Sequence, residues 1–244
     1  MSKFDSFAAL HVPGDPVVLY NIWDAGSAIA VAAAGAKALA TGSHPVGDAS
    51  GFGDAHQVPL DYVFDNARRI MGAVNLPLSV DFEGAYSADP EEGAANVARL
   101  KATGAVGCNF EDQLVGGDGI HPLELQVRRI SAIRAAVGSD FFINARTDLL
   151  IKEHGDDVLD LVIERGKAFA GAGASGFFVP RISDPRHIER VVREVPLPLN
   201  AIAFPGAPAK AEWAAAGVAR ISHGPFPHKA LMAQLTEAAK VAIG

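Results

Sequence analysis

A chain of 244 residues, 49% of them hydrophobic, is long enough to bury a full core, and its formal net charge of -7 gives no reason to expect nucleic acid as a partner. Its single cysteine, Cys108, excludes an internal disulfide framework, and no apolar run approaches the roughly 20 residues that span a bilayer. The first residues lack the basic-then-apolar pattern of a signal peptide, so the expected setting is a reducing cytoplasm without membrane contact.

Short apolar runs recur eight times along the chain, at 17–21, 36–41, 78–82, 105–111, 141–146, 176–179, 199–204 and 218–222, and each reads as a strand. Between them, segments 27–34, 61–74, 91–103, 124–137, 156–172, 185–194, 209–216 and 227–242 read as helices. Asp24, Asp89 and Asp184 sit where helices would start. Gly35, Gly104, Gly138, Gly173 and Gly217 sit where they would end. Eight alternating units predict a single α/β domain over 1–244, a closed (β/α)8 TIM barrel. A doubly wound open sheet is the competing architecture, but no glycine-rich phosphate loop follows the first strand.

Barrel enzymes carry their chemistry at the C-terminal ends of strands. That rule selects Asn21, Trp23 and Asp24 after the first strand, Thr41, Gly42, Ser43, His44 and then Asp54 after the second, and Asp81 with Glu83 after the third. Glu111 with Asp112 follows the fourth, and Asn144, Arg146 and Asp148 follow the fifth. Asp81 and Glu83 are two apart, so an extended backbone would aim both at one face, about 6.6 Å apart. With Glu111 on the adjacent strand and Asp54 reaching in from its loop, four acids would converge. Such a group repels itself unless a cation intervenes, and all-oxygen ligation suits Mg2+. Arg146 offers the planar fork that matches a substrate carboxylate, with salt bridges to Glu111 or Asp148 as its structural alternative. The amides and hydroxyls of Thr41, Gly42 and Ser43 form a polar turn suited to the same carboxylate.

Taken in order, Asn21-Ile22-Trp23-Asp24-Ala25-Gly26-Ser27-Ala28, Thr41-Gly42-Ser43, Asp81-Phe82-Glu83-Gly84, Glu111-Asp112-Gln113 and Asn144-Ala145-Arg146-Thr147-Asp148 give the sequence a specific likeness. It resembles the isocitrate lyase and phosphoenolpyruvate mutase superfamily from about residue 15 to the 220–225 segment. The resemblance implies Mg2+, with Mn2+ as an alternative, among Asp54, Asp81, Glu83 and Glu111, Asp81 binding directly and the others often through water. It also implies Trp23, Thr41, Gly42, Ser43, Asn144 and Arg146 around a small carboxylate substrate, and a last helix exchanged between subunits of a homodimer or homotetramer. The shared chemistry is stabilisation of a 2-oxo acid enolate while a C–C or P–C bond breaks.

The sequence departs from the superfamily in the loop 113–122. The isocitrate and methylisocitrate lyases carry Lys-(Lys/Arg)-Cys-Gly-His there, and the phosphonate enzymes a lysine and an asparagine; this chain has neither. Cys108 precedes Glu111 and reads as a packing residue. His121, the one loop side chain that titrates near neutrality, is the candidate general acid or base beside Arg146 and Asp54. The expected activity is therefore C–C cleavage of a small 2-oxo or 2-hydroxy di- or tricarboxylic acid. P–C chemistry on a phosphonopyruvate-like substrate and a non-catalytic 2-oxo acid binding protein stand as alternatives.

Overall fold

The computed structural model describes residues 1–53, 55–114, 117–152 and 156–244. Eight parallel strands form one sheet: β1 (Val17–Leu19), β2 (Leu39–Ala40), β3 (Leu78–Asp81), β4 (Gly107–Glu111), β5 (Phe142–Arg146), β6 (Gly176–Phe178), β7 (Leu199–Ile202) and β8 (Arg220–Ser222). The ladder runs β1-β8-β7-β6-β5-β4-β3-β2. Just beyond β1, a parallel bridge joins Ile22 to Thr41, with the Ile22 amide donating to the Ala40 carbonyl at 2.9 Å, and this nearly closes the barrel. The α/β barrel expectation holds, with the strands falling inside the predicted apolar runs.

The helices are α1 (Lys3–Ala9), α2 (Ala25–Ala33), α3 (Ser43–Ser50), α4 (Leu60–Ala73), α5 (Pro90–Lys101), α6 (Leu123–Val137), α7 (Leu149–Lys152), α8 (Asp156–Gly171), α9 (Pro185–Glu194), α10 (Lys210–Ala215) and α11 (Phe226–Ile243). Asp24, Asp89 and Asp184 cap α2, α5 and α9 through backbone amides, as their positions predict. The outer core lies between helices and sheet, where Phe64, Ile70, Val97, Ile133, Val162 and Trp213 are buried. A second cluster fills the N-terminal end of the barrel, where α1 inserts Phe7 against Leu19, Ala38, Ala40, Val106 and Phe142.

The last helix, α11, is exposed beyond its first turn: Leu235 is 60% and Val241 86% exposed. On the barrel wall, Val18 and Tyr20 are also exposed and, with Ala30, Val31 and Ala34 of α2 and the turn beyond it, line a groove of about 780 Å³. No helix among the described residues is long and apolar enough to cross a membrane.

Candidate active site

Strand register sets the site. Asp81 pairs with Asn109 and Glu111 with Arg146, so the polar residues that end β3, β4 and β5 stand side by side at the C-terminal mouth of the barrel. Asp81 is held from two sides: its Oδ2 accepts from the Ser43 amide at 3.0 Å and its Oδ1 from Asn109 Nδ2 at 3.4 Å. The Asn109 amide cannot turn over without loss. Its Oδ1 accepts from Asn144 Nδ2 at 2.8 Å and from Arg220 Nη2 at 3.0 Å. Arg220 is fully buried beneath the mouth, and burial lowers its pKa to about 9.

Arg146 is the centre of the cationic side. Its Nη1 lies 2.9 Å from Glu111 Oε2, while Nε and Nη2 donate to the two oxygens of Asp148 at 2.6 and 3.0 Å. Its guanidinium also sits over the Phe178 ring at 5.5 Å. Burial works against its charge, but Glu111 and Asp148 more than offset this and hold its pKa above the ordinary arginine value. Two carboxylates share one guanidinium here. Burial accordingly holds Glu111 well above the usual carboxylate range despite Arg146 beside it. A guanidinium has five N–H donors, so three contacts leave two of them unused on a side chain that lines the neighbouring cavity.

That cavity, about 430 Å³, opens at the barrel mouth and is lined by Asn21, Gly42, Ser43, Asp81, Asn109 and Arg146, with a largely apolar wall from the β6–β8 side. Of the residues the sequence singled out, Asn21, Gly42, Ser43, His44, Asp81 and Arg146 meet there. Thr41 lies behind the wall, its hydroxyl accepting from the Asp81 amide at 3.0 Å. Asn144 faces inward as its alternation predicts, but one layer deeper, between Asn109 and Asn200. Trp23 packs on His228 and gives its carbonyl to Asn66, away from the cavity. His121 lines a separate cavity of about 290 Å³ with Gln113, Leu114 and Arg129, and burial together with Arg129 and Arg165 lowers its pKa. Asp112, whose pKa burial raises to about 6, is a fully buried anchor: it accepts from the Asp148 amide and from Arg165.

The expected four-acid cage is looser than the spacing suggested. Among the described residues no three His, Cys, Asp or Glu side chains are arranged to hold a metal ion. The reason is local: Glu83, buried on a left-handed backbone (φ 49), turns an oxygen to the His56 amide at 2.7 Å, and Glu111 turns to Arg146. Asp54 lies outside the described residues. What remains suits Mg2+ nevertheless, since that ion keeps several waters and needs only one or two carboxylates. Asp81 faces the main cavity and shares with Glu83 a second cavity of about 10 Å³, the size of one water.

The sequence signature described as phosphoenolpyruvate phosphomutase matches residues 7–243. The chain belongs to the phosphoenolpyruvate mutase/isocitrate lyase superfamily. Among structures, a phosphonomutase candidate from Burkholderia cenocepacia J2315 is 42% identical, with a TM-score of 0.95 over 98% of this chain and 99% of that one. The 2-methylisocitrate lyase of Escherichia coli K12 is 30% identical over 79% of this chain and 70% of its own. A phosphonopyruvate hydrolase in complex with oxalate and Mg2+ shares the fold at 22% identity, with a TM-score of 0.87 over 99% of this chain and 87% of that one. The superfamily thus holds both C–C lyases and P–C enzymes.

Proposed function

We propose that this superfamily member is a Mg2+-dependent lyase that breaks a C–C bond in a small 2-oxo or 2-hydroxy di- or tricarboxylic acid by way of an enolate. The observation that carries the reading is that one cavity is bounded by both a partly exposed carboxylate, Asp81, and a partly buried guanidinium, Arg146, whose contacts with Glu111 and Asp148 do not use all of its N–H groups. When bound at Asp81, Mg2+ supplies the counter-charge for an enolate oxygen. Arg146 binds the substrate carboxylate through its planar fork, and Glu111 and Asp148 fix that fork's orientation. The Ser43 amide and the Asn109 side chain hold Asp81 in place before substrate arrives. Asp54 and His121 remain candidates for proton transfer, His121 from its neighbouring cavity.

The test is turnover of malate, oxaloacetate, alkylmalates, methylisocitrate and phosphonopyruvate with and without Mg2+, following 2-oxo acid and phosphate release separately. A 2-oxo acid product that requires Mg2+ is expected. The 42% identity to the phosphonomutase candidate favours P–C chemistry as the second reading, which phosphate release would establish. Oxalate binding without any turnover would instead mark a binding protein. Calorimetry should show Mg2+ affinity lost in Asp81→Asn, and equal binding by variant and wild type would refute the metal site.

The exposed face of α11 and the bare groove over β1 together support exchange of α11 between copies in a homodimer or homotetramer. Light scattering should show that oligomer, and Leu235→Glu should shift it toward monomer. A monomeric wild type at micromolar concentration would reject the exchange.

A further inference from the structure

The cavity at the barrel mouth has two unlike halves. Toward β3–β5 it presents Ser43, Asp81, Asn109 and Arg146, and toward β6–β8 it presents Phe178, Ile202, Phe204, Pro205 and Phe226. The β6–β8 half carries one charged lining residue, Arg181, which is exposed. Ile202 is seated against Gly224, where a Cβ would stand 2.6 Å from Ile202 Cδ1, so a glycine is what lets this apolar wall close up. At about 430 Å³ the cavity lies within the range of roughly 300–1,000 Å³ that organic ligands of moderate size occupy, more room than oxalate or pyruvate takes.

A carboxylate or phosphonate placed against Phe204 and Phe226 would lose its water without gaining a buried cation, which is costly. A hydrocarbon chain placed there would gain from the same dehydration. We propose that the β6–β8 half is a subsite for an uncharged alkyl or aryl substituent. The substrate is then a chain-bearing 2-oxo or 2-hydroxy acid whose acid groups all lie in the Asp81 and Arg146 half. The proposal rests on the reading of that polar half as a 2-oxo acid site.

Calorimetry with saturating Mg2+ on pyruvate, 2-oxobutyrate, 2-oxopentanoate and 2-oxohexanoate tests it, with oxalate, oxaloacetate and phosphonopyruvate as the charged arm. Affinity should rise about three- to fourfold per added methylene. Phe204→Ser should flatten that rise, while Phe204→Leu, which keeps the wall apolar, should retain most of it. Pyruvate binding with no gain along the series would overturn the subsite. So would oxaloacetate or phosphonopyruvate binding more tightly than 2-oxobutyrate by a margin that Arg181→Gln removes. Failure of both oxalate and pyruvate to bind would instead overturn the 2-oxo acid reading, and the subsite with it.

Discussion

The two ends of the barrel solve opposite problems. At the C-terminal mouth the partly buried Arg146 bridges two buried acids, Asp148 and Glu111, and the cavity opens beside them. At the N-terminal end, α1 closes the barrel with Phe7, which meets Phe142 edge-on at 5.4 Å, and a single polar ring, His11, stacks on Phe142 at 4.2 Å. One end gathers polar and charged side chains around an open cavity; the other excludes water with packed rings. Mutations should therefore separate: at the mouth they should affect binding and stability together, and at the floor stability alone.

The largest effect is expected at the mouth. Arg146→Met leaves Asp148 a buried carboxylate with its cation gone and takes from Glu111 the guanidinium beside it, and breaking a buried pair from one side costs about 3–5 kcal/mol. Urea unfolding of metal-free protein at neutral pH should show that loss, together with loss of oxalate binding. Unchanged stability would mean that the two acids find other partners and that the arginine is there for ligand alone. At the floor, Phe7→Ala removes a fully buried ring and should cost about 3 kcal/mol or somewhat more. Oxalate and Mg2+ affinity should stay at wild-type values. A floor variant that altered either affinity would break the separation between the two ends.

The barrel was legible in the sequence because short apolar runs recur eight times between helical stretches, and several helices begin on a capping Asp. Three helices were not. The helix α3 spans Ser-His-Pro-Val-Gly-Asp-Ala-Ser and starts at Gly42 with no side-chain cap, so Thr41 to Ser43 read as a turn. Its first amide serves Asp81 instead of being left for substrate. The helix α7 is a single turn, and α1 lies before the first strand, outside any alternating pattern. In the site, Asp81 and Arg146 were found by alternation. Alternation also turned Asn144 inward, but it does not say how deep in the barrel a residue sits. Phe178, Ile202 and Phe204 gave no signal because an apolar strand residue looks the same whether it faces the core or a cavity. Glu83 was misplaced for a further reason: the chain leaves extended geometry right after Asp81, so the two-residue period stops applying.

Acid should divide the two ends by sign. His11 Nδ1 contacts the Phe7 carbonyl at 2.9 Å and so carries the proton there, leaving Nε2 buried without a partner. Burial, with Arg220 nearby, lowers its pKa from 6.5 to about 3. Unfolded protein therefore binds a proton at His11 that the fold refuses, and between pH 6.5 and 3 this residue costs stability as pH falls, by up to about 1.4 kcal/mol per unit. Glu111 works the other way. Its pKa is raised in the fold, so its contribution is fully present below 4.5 and is lost as pH rises through the higher folded value. Measured without metal, the stability difference between His11→Leu and wild type should move in the variant's favour as pH is lowered from 6 to 4. The difference between Glu111→Gln and wild type should move against the variant from pH 7 to 5. Subtracting each wild-type curve removes the contribution of the other acids, so the two slopes can be read separately. A flat His11→Leu difference would mean that α1 lifts off the floor before the imidazole has to stay neutral, and that this end of the barrel opens more easily than its packing implies.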